Sequence, residues 1–145
     1  MKRIRVQKWS LLKRTEGSSA VEFAIVTPVL LFLLFGIIAY GIFFGAVHSV
    51  QQLAANSARA AISGLDLAER QALVEQHLAS SLPDGGLLTR DAVSVSVETL
   101  EDDSSYLRVV VAFDASDLPV WNLYSGLPLP EKTIRREAII RAGGY

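Results

Sequence analysis

An uninterrupted apolar segment, residues 23–47, constrains the fold of this chain more than any other feature. It contains no charged side chain, and Thr27 and Tyr40 are its only ordinary polar residues. As a helix, its 25 residues would be about 37 Å long, enough to cross a hydrocarbon core of about 30 Å. A secretory signal peptide has a shorter apolar core of about 7–15 residues. We therefore expect a retained membrane anchor, with a transmembrane helix over residues 18–47.

Charge is distributed unevenly around this segment. Residues 1–17 carry six cations and one anion, a net charge of +5, whereas residues 18–145 carry eight cations and fourteen anions, a net charge of −6. Because a cationic flank is retained on the cytoplasmic side, we interpret residues 1–17 as a cytoplasmic basic leader and residues 48–145 as an exported head. The acidic remainder argues against nucleic acid as a partner and leaves membrane lipid and other proteins.

Helical periodicity continues beyond the membrane segment. Apolar residues recur at three- and four-residue steps up to position 62, and Gly64 is expected to end the helix. Asp66 and Glu69 have the spacing of a capping box, which predicts a second helix from there to about Ser81. The two predicted apolar stripes are Val47, Val50, Leu53, Ala54, Ala58, Ala61 and Ile62 in the first helix, and Leu67, Val74, Leu78 and Leu82 in the second.

Alternating segments follow the second helix. Residues 93–97 and 107–113 alternate between inward and outward positions and predict an antiparallel hairpin. Residues 133–141 would suit a helix or a strand, and we predict a strand because an isolated hairpin is only marginally stable. The expected fold class is α+β and pilin-like: a long N-terminal transmembrane and amphipathic helix, a second helix, and a small antiparallel sheet of about three strands.

The junction between the leader and the apolar segment carries the candidate functional residues. Gly17 is followed by Ser18 and, at the fifth position after the glycine, by Glu22, which directly precedes Phe23. A charged residue at the start of a membrane span raises the free energy of insertion, so its presence suggests a function. Such a spacing of glycine and glutamate is common by chance, but a basic leader before it and a span after it are typical of type IV prepilins. The arrangement therefore resembles a prepilin processing site.

The resemblance extends along the helix to a more specific family. Residues 17–24, Pro28, the leucine-rich run 29–34 and the alanine- and arginine-rich tract 52–61 are similar to TadE/TadG-like minor pseudopilins. These proteins belong to bacterial tight-adherence (Flp-type) type IV pilus systems. The similarity is close over residues 14–62 and general beyond them.

This resemblance implies a single-pass protein of the bacterial inner membrane that a prepilin peptidase cleaves between Gly17 and Ser18. It also implies that Glu22, together with Phe23, acts in assembly with other pilin subunits, supporting pilus biogenesis, adhesion and biofilm formation. Ser18 departs from the pattern, because ordinary pilins begin with an aromatic residue after the cleaved bond. The sequence leaves open whether the subunit enters the filament, caps its tip or remains an assembly factor.

Glycines and histidines offer further candidate positions. Gly41 and Gly45, with Gly36 nearby, could let another helix approach closely, although glycines are common in membrane spans. His48 and His77 lie far apart in the sequence and suggest neither a metal site nor an acid–base pair. Interfacial and surface polar residues are the simpler interpretation of both.

Three other features of the sequence bear on possible chemistry. The acidic turn 101–103 could bind calcium but lacks the glycine and the later glutamate of an EF-hand, so it is interpreted as a solvated hairpin tip. Trp121 and Tyr124 suit either the core or a docking surface. The sequence has no cysteine, nucleophile motif or phosphate loop, so we expect no enzyme, cofactor or metal.

The alternative to a pilin-like function is an uncleaved, single-pass anchored periplasmic binding or scaffold module.

Overall fold

The computed structural model describes residues 15–82, 85–100, 105–122 and 129–142, with side chains described from residue 19 onward. The α+β class is confirmed: a long helix and a second helix are followed by a three-stranded antiparallel sheet. The chain divides into two units, Met1–Phe35 and Gly36–Tyr145, and the latter is called the C-terminal unit below. The elements are α1 (Thr15–Ala61), α2 (Leu67–Ser81), β1 (Val93–Thr99), β2 (Tyr106–Asp114) and β3 (Thr133–Arg141), with single 3-10 turns at Arg90–Ala92 and Pro119–Asn122.

In the first unit, helix α1 exposes large apolar side chains in every direction. Val21, Phe23 and Val29 each leave more than 60% of their surface uncovered. A helix that is apolar all round is typical of a membrane span or a buried core helix. The most apolar stretch of α1 is not buried at all, and the helix is long and apolar enough to cross a membrane. It therefore fits a single-pass membrane protein.

In the C-terminal unit, one face of α1 packs into the hydrophobic core. The buried positions recur every three or four residues and are mostly alanines, whose small side chains let the helix backbone approach its neighbours closely. The predicted stripe is confirmed from Val50 to Ala61, and Val47 is half-buried. Ile62 is 43% exposed, because α1 ends at Ala61 and Ile62 lies in the following turn. The buried residues are Ala39, Phe43, Ala46, Val50, Leu53, Ala54, Ser57, Ala58 and Ala61.

The turn between the helices depends on Gly64. A Cβ atom at this position would lie only 2.8 Å from the backbone nitrogen of Arg70. Arg70 in turn donates from Nε to the Gly64 carbonyl at 2.9 Å. A larger residue would therefore push the first turn of α2 away from the end of α1. The prediction that the long helix ends near Gly64 is confirmed, and the glycine serves close approach of the backbone.

The N-terminus of α2 has the Asp66 cap that its sequence predicts. The Asp66 carboxylate accepts the Glu69 backbone N–H at 2.8 Å, and the Glu69 carboxylate accepts the Leu65 backbone N–H at 2.7 Å. The first bond satisfies a donor that a helix start leaves unpaired, whereas the second reaches Leu65, one residue before the Asp66 N–H that a capping box would bond. The helix then runs to Ser81, as predicted.

The predicted apolar stripe of α2 is correct at three of its four positions. Val74 and Leu78 are buried, and Leu82 is half-buried against the core. Leu67 is 45% exposed, so its assignment to the buried stripe was wrong. It shares the direction of Val74 but is the first residue of α2, two turns earlier. Periodicity gives the direction of a side chain but does not show whether a partner lies there.

The sheet has the order β1-β2-β3, with both pairs antiparallel. The hairpin and the third strand are therefore confirmed. Helix α2 covers part of the β1 edge: Gln71 donates to the Val95 carbonyl at 3.3 Å and accepts the Val97 N–H at 3.0 Å. Such bonds satisfy backbone groups that an edge strand leaves unpaired. The inward row of β2 is buried, as predicted, and consists of Leu107, Val109, Val111 and Phe113.

Candidate processing and assembly site

The predicted scissile bond lies in a helical part of α1. The described part of α1 starts at Thr15, and Gly17 and Ser18 have helical backbones, whereas the sequence suggested a helix from Ser18. Glycine weakens a helix by about 0.5–1 kcal/mol relative to alanine. The helix therefore unwinds more easily at Gly17 than it would with alanine there. A protease that needs an extended substrate requires such local unwinding.

Glu22 is an exposed carboxylate among exposed apolar side chains. Its neighbours Val21, Phe23 and Ile25 each expose more than 60% of their surface. Among the residues that the structure describes, none forms an ion pair with Glu22. Glu22 lies four residues after Ser18, which places the two positions on the same face, one turn apart. The carboxylate is thus available to a cationic partner from outside the described part of the chain.

A proline, Pro28, lies six residues after Glu22 in α1. Pro28 has no N–H, so the carbonyl four residues earlier lacks its usual helical donor. The Thr27 hydroxyl donates to the Phe23 carbonyl at 2.7 Å and adds a bond on the same stretch of helix. α1 nevertheless continues through Pro28. The hydroxyl of Thr27 is therefore satisfied within the helix, and Glu22 is the last charged residue before the apolar segment.

The three candidate packing glycines have different surroundings. A Cβ atom at Gly36 or Gly41 would meet no described atom within 4 Å, so both positions leave room for another helix. A Cβ atom at Gly45 would lie 3.8 Å from the Leu87 side chain of the same chain, an ordinary contact. Contact with a second helix at Gly36, Gly41 and Gly45 stays a prediction.

The two histidines lie on different helices and bond locally. His48 Nε2 is 2.9 Å from the Gln52 side-chain nitrogen, and His77 Nε2 is 3.2 Å from the Ser81 hydroxyl. Within residues 15–82, 85–100, 105–122 and 129–142, no group of three or more histidine or acidic side chains is placed to hold a metal ion. The acidic turn 101–103 lies outside the described residues.

Trp121 packs on the core. Its ring meets Phe43 edge to face, with centroids 6.2 Å apart, and its indole N–H donates to the Ala115 carbonyl. These contacts favour the core over a docking surface, although the ring is only half-buried. Tyr124 lies outside the described residues.

Comparison with known proteins finds a family match for the N-terminal segment. Residues 17–59, which are 43 of the 145 residues, match the family model of TadE-like proteins. No match was found among curated proteins or among solved structures. The matched segment begins at Gly17 and includes Glu22, Pro28 and most of the alanine-rich face of α1. The resemblance seen in the sequence is thereby confirmed for this segment, whereas α2 and the sheet lie outside it.

Proposed function

Because residues 17–59 are TadE-like, we propose that this chain is a minor pilin-like subunit or assembly factor of a tight-adherence type IV pilus. The observation that carries the proposal is Glu22, an exposed carboxylate without a described partner at the start of an apolar helix, five residues after Gly17. An acid in that position is costly for a simple anchor. The acid gains a role when the helix leaves the lipid and joins other helices, because it can then pair with a cationic group. In this proposal the chain is not an enzyme.

The first step is removal of the leader by a prepilin peptidase. Hydrolysis of the peptide bond between Gly17 and Ser18 gives a carboxylate on the leader and a protonated α-amino group on Ser18. The absence of a side chain at Gly17 lets the backbone extend in the protease. Cleavage also removes the six leader cations, which would otherwise hold the N-terminus at the cytoplasmic surface.

The second step is assembly with other pilin subunits. The Glu22 carboxylate of one subunit pairs with the new α-amino group of a neighbour, in surroundings of low dielectric that strengthen the attraction. The exposed apolar side chains of α1 then exchange contacts with lipid for contacts with neighbouring helices. Gly36 and Gly41, where no described atom fills the space above the backbone, allow those helices to approach closely.

Deletion and complementation test this function directly. A strain that makes tight-adherence pili should lose its pili and its surface adhesion when this chain is deleted, because assembly lacks a subunit. The full-length chain should restore both, as counted by electron microscopy and by retention of cells on a surface. Normal piliation of the deletion strain would contradict the proposal and favour the uncleaved anchored module.

Topology provides an independent prediction. The net charge of +5 on residues 1–17 should hold the N-terminus in the cytoplasm and place the C-terminus outside. A fusion of alkaline phosphatase after the last residue should therefore be active, and a fusion of a cytoplasmic fluorescent protein there should be dark. As a control, the same reporters fused to a cytoplasmic protein should give the opposite pattern. That opposite pattern from this chain would refute the orientation and the assembly scheme with it.

A further inference from the structure

The exposed face of α1 changes from apolar to polar within the C-terminal unit. Ile38 and Phe44 are exposed, Phe44 by 63% of its surface. One turn later the exposed residues are His48, Gln51 and Gln52. A helix that leaves a bilayer changes its outward residues in this way, because hydrocarbon covers the first set and water the second. The bilayer surface should therefore meet α1 between Phe44 and His48.

Aromatic side chains gather at the same level. The rings of Tyr40 and Phe44 have centroids 6.4 Å apart, and the ring of Phe43 meets that of Trp121. Tryptophan and tyrosine are enriched where a membrane meets water, because their rings are apolar and their N–H or O–H groups are polar. Trp121 belongs to the 3-10 turn Pro119–Asn122, so a residue outside α1 also lies at the level of Phe43 and Phe44.

Two arginines of β3 lie beside these aromatic residues. Arg135 is exposed and Arg136 half-buried, and neither forms an ion pair with a described residue. They are adjacent in an edge strand, so their side chains point to opposite faces of the sheet and straddle its outer edge. Glu137, the next residue, pairs instead with Arg108 at 3.5 Å. The groove at this edge is lined by Phe43, Phe44, Val47, Glu131, Arg135 and Arg136, among others.

Nearby acids offset only part of this positive charge. Glu131 lines the groove and opposes the arginines. Hydrogen bonds from the Ser116 hydroxyl and backbone N–H hold the pKa of Asp114 below its ordinary value, and the charge of Lys132 contributes less. Lys132 forms no ion pair with a described residue, and its Nζ atom lies 6.0 Å from the centre of the Trp121 ring. The described residues that line the groove include two arginines and one acid, so their formal charges sum to +1, although residues 18–145 as a whole carry a net charge of −6.

We propose that Arg135 and Arg136 bind the phosphate groups of anionic phospholipids where α1 leaves the bilayer. The exposed apolar residue of the groove, Phe44, would contact the upper acyl chains of the same lipids. Basic residues near a membrane surface attract anionic headgroups, and arginine matches phosphate geometry with paired donors. The proposal requires that α1 spans a membrane, and it does not depend on the pilus function.

Trp121 allows this contact to be measured in the full-length chain. The sequence has two tryptophans, so a Trp9→Phe variant leaves Trp121 as the sole emitter. The protein is reconstituted into bilayers of equal parts phosphatidylglycerol and phosphatidylcholine, with bromine on the acyl chains of one lipid or the other. Bromine quenches tryptophan only at short range. Stronger quenching by brominated phosphatidylglycerol is expected, because the arginines enrich that lipid beside Trp121.

A matched pair of variants decides the outcome. In Arg135→Gln/Arg136→Gln the two brominated lipids should quench equally. Arg90→Gln/Arg141→Gln removes the same charge from exposed positions elsewhere, and Arg141 is about 16–20 Å along β3 from the groove. This control should keep the preference for phosphatidylglycerol. Equal quenching in the parent chain, a preference that survives Arg135→Gln/Arg136→Gln, or no quenching by either lipid would each overturn the proposal. These quenching results have no bearing on the proposed pilus function, which is tested separately by piliation.

Discussion

Replacing Glu22 by alanine should abolish piliation while leaving the abundance, membrane insertion and cleavage of the chain intact. Removing a carboxylate from the edge of a span makes insertion easier, so the variant should still reach the membrane. The variant loses the proposed partner of the Ser18 amino group. Two unit charges about 4 Å apart attract by about 4 kcal/mol at an effective dielectric of about 20. Because about 1.4 kcal/mol is a tenfold change in an equilibrium, even part of this loss would prevent assembly.

Two further variants separate charge from other effects of Glu22. Glu22→Gln keeps the size of the side chain and one acceptor oxygen but removes the charge, and it should fail like Glu22→Ala if charge is what matters. Glu75→Ala, which removes an exposed carboxylate from α2, should support normal piliation. Adhesion and pili are measured in a deletion strain, with immunoblots for amount and processing. Full adhesion by Glu22→Ala at normal abundance would mean that the acid is incidental to function.

Replacing Gly17 by valine should block processing and, as a consequence, piliation. A β-branched side chain beside the scissile bond restricts the backbone and occupies space that glycine leaves free in the protease. The uncleaved chain would keep its cationic leader at the cytoplasmic surface and lack the free amino group of Ser18. Gly36→Ala is the matched control, because a Cβ atom there meets no described atom within 4 Å and the position is far from the cleaved bond. It should be cleaved normally, and normal cleavage of Gly17→Val would contradict the assignment.

Local signals in the sequence predicted most of the fold. The alternation of residues 93–97 and the cap at Asp66 depend on neighbours a few positions away, so the sequence alone is enough to recognise them. Leu67 was misassigned because its burial depends on what lies opposite the end of α2. The bonds of Gln71 to β1 were missed for the same reason, since they join residues more than 20 positions apart. Long-range contacts of this kind leave no periodic signal.

The same distinction between local signals and long-range contacts applies to the candidate sites. Gly17 and Glu22 could be identified because the residues of the proposed processing site lie close together in the sequence. The groove beside Arg135 and Arg136 could not, because about 90 residues separate them from Phe43 and Phe44 and only the packing of α1 against the sheet brings them together. Cleavage and assembly involve other proteins, and these steps therefore stay predictions.

The N-terminus of the mature chain tests the central claim most directly. The protein is extracted from the membranes of cells with and without an active prepilin peptidase, and its intact mass and N-terminal peptide are determined by mass spectrometry. Our account predicts a chain that begins at Ser18 when the peptidase is active and a chain that still contains the leader when it is absent. A chain that begins at Met1 in cells with an active peptidase would contradict the pilin-like function.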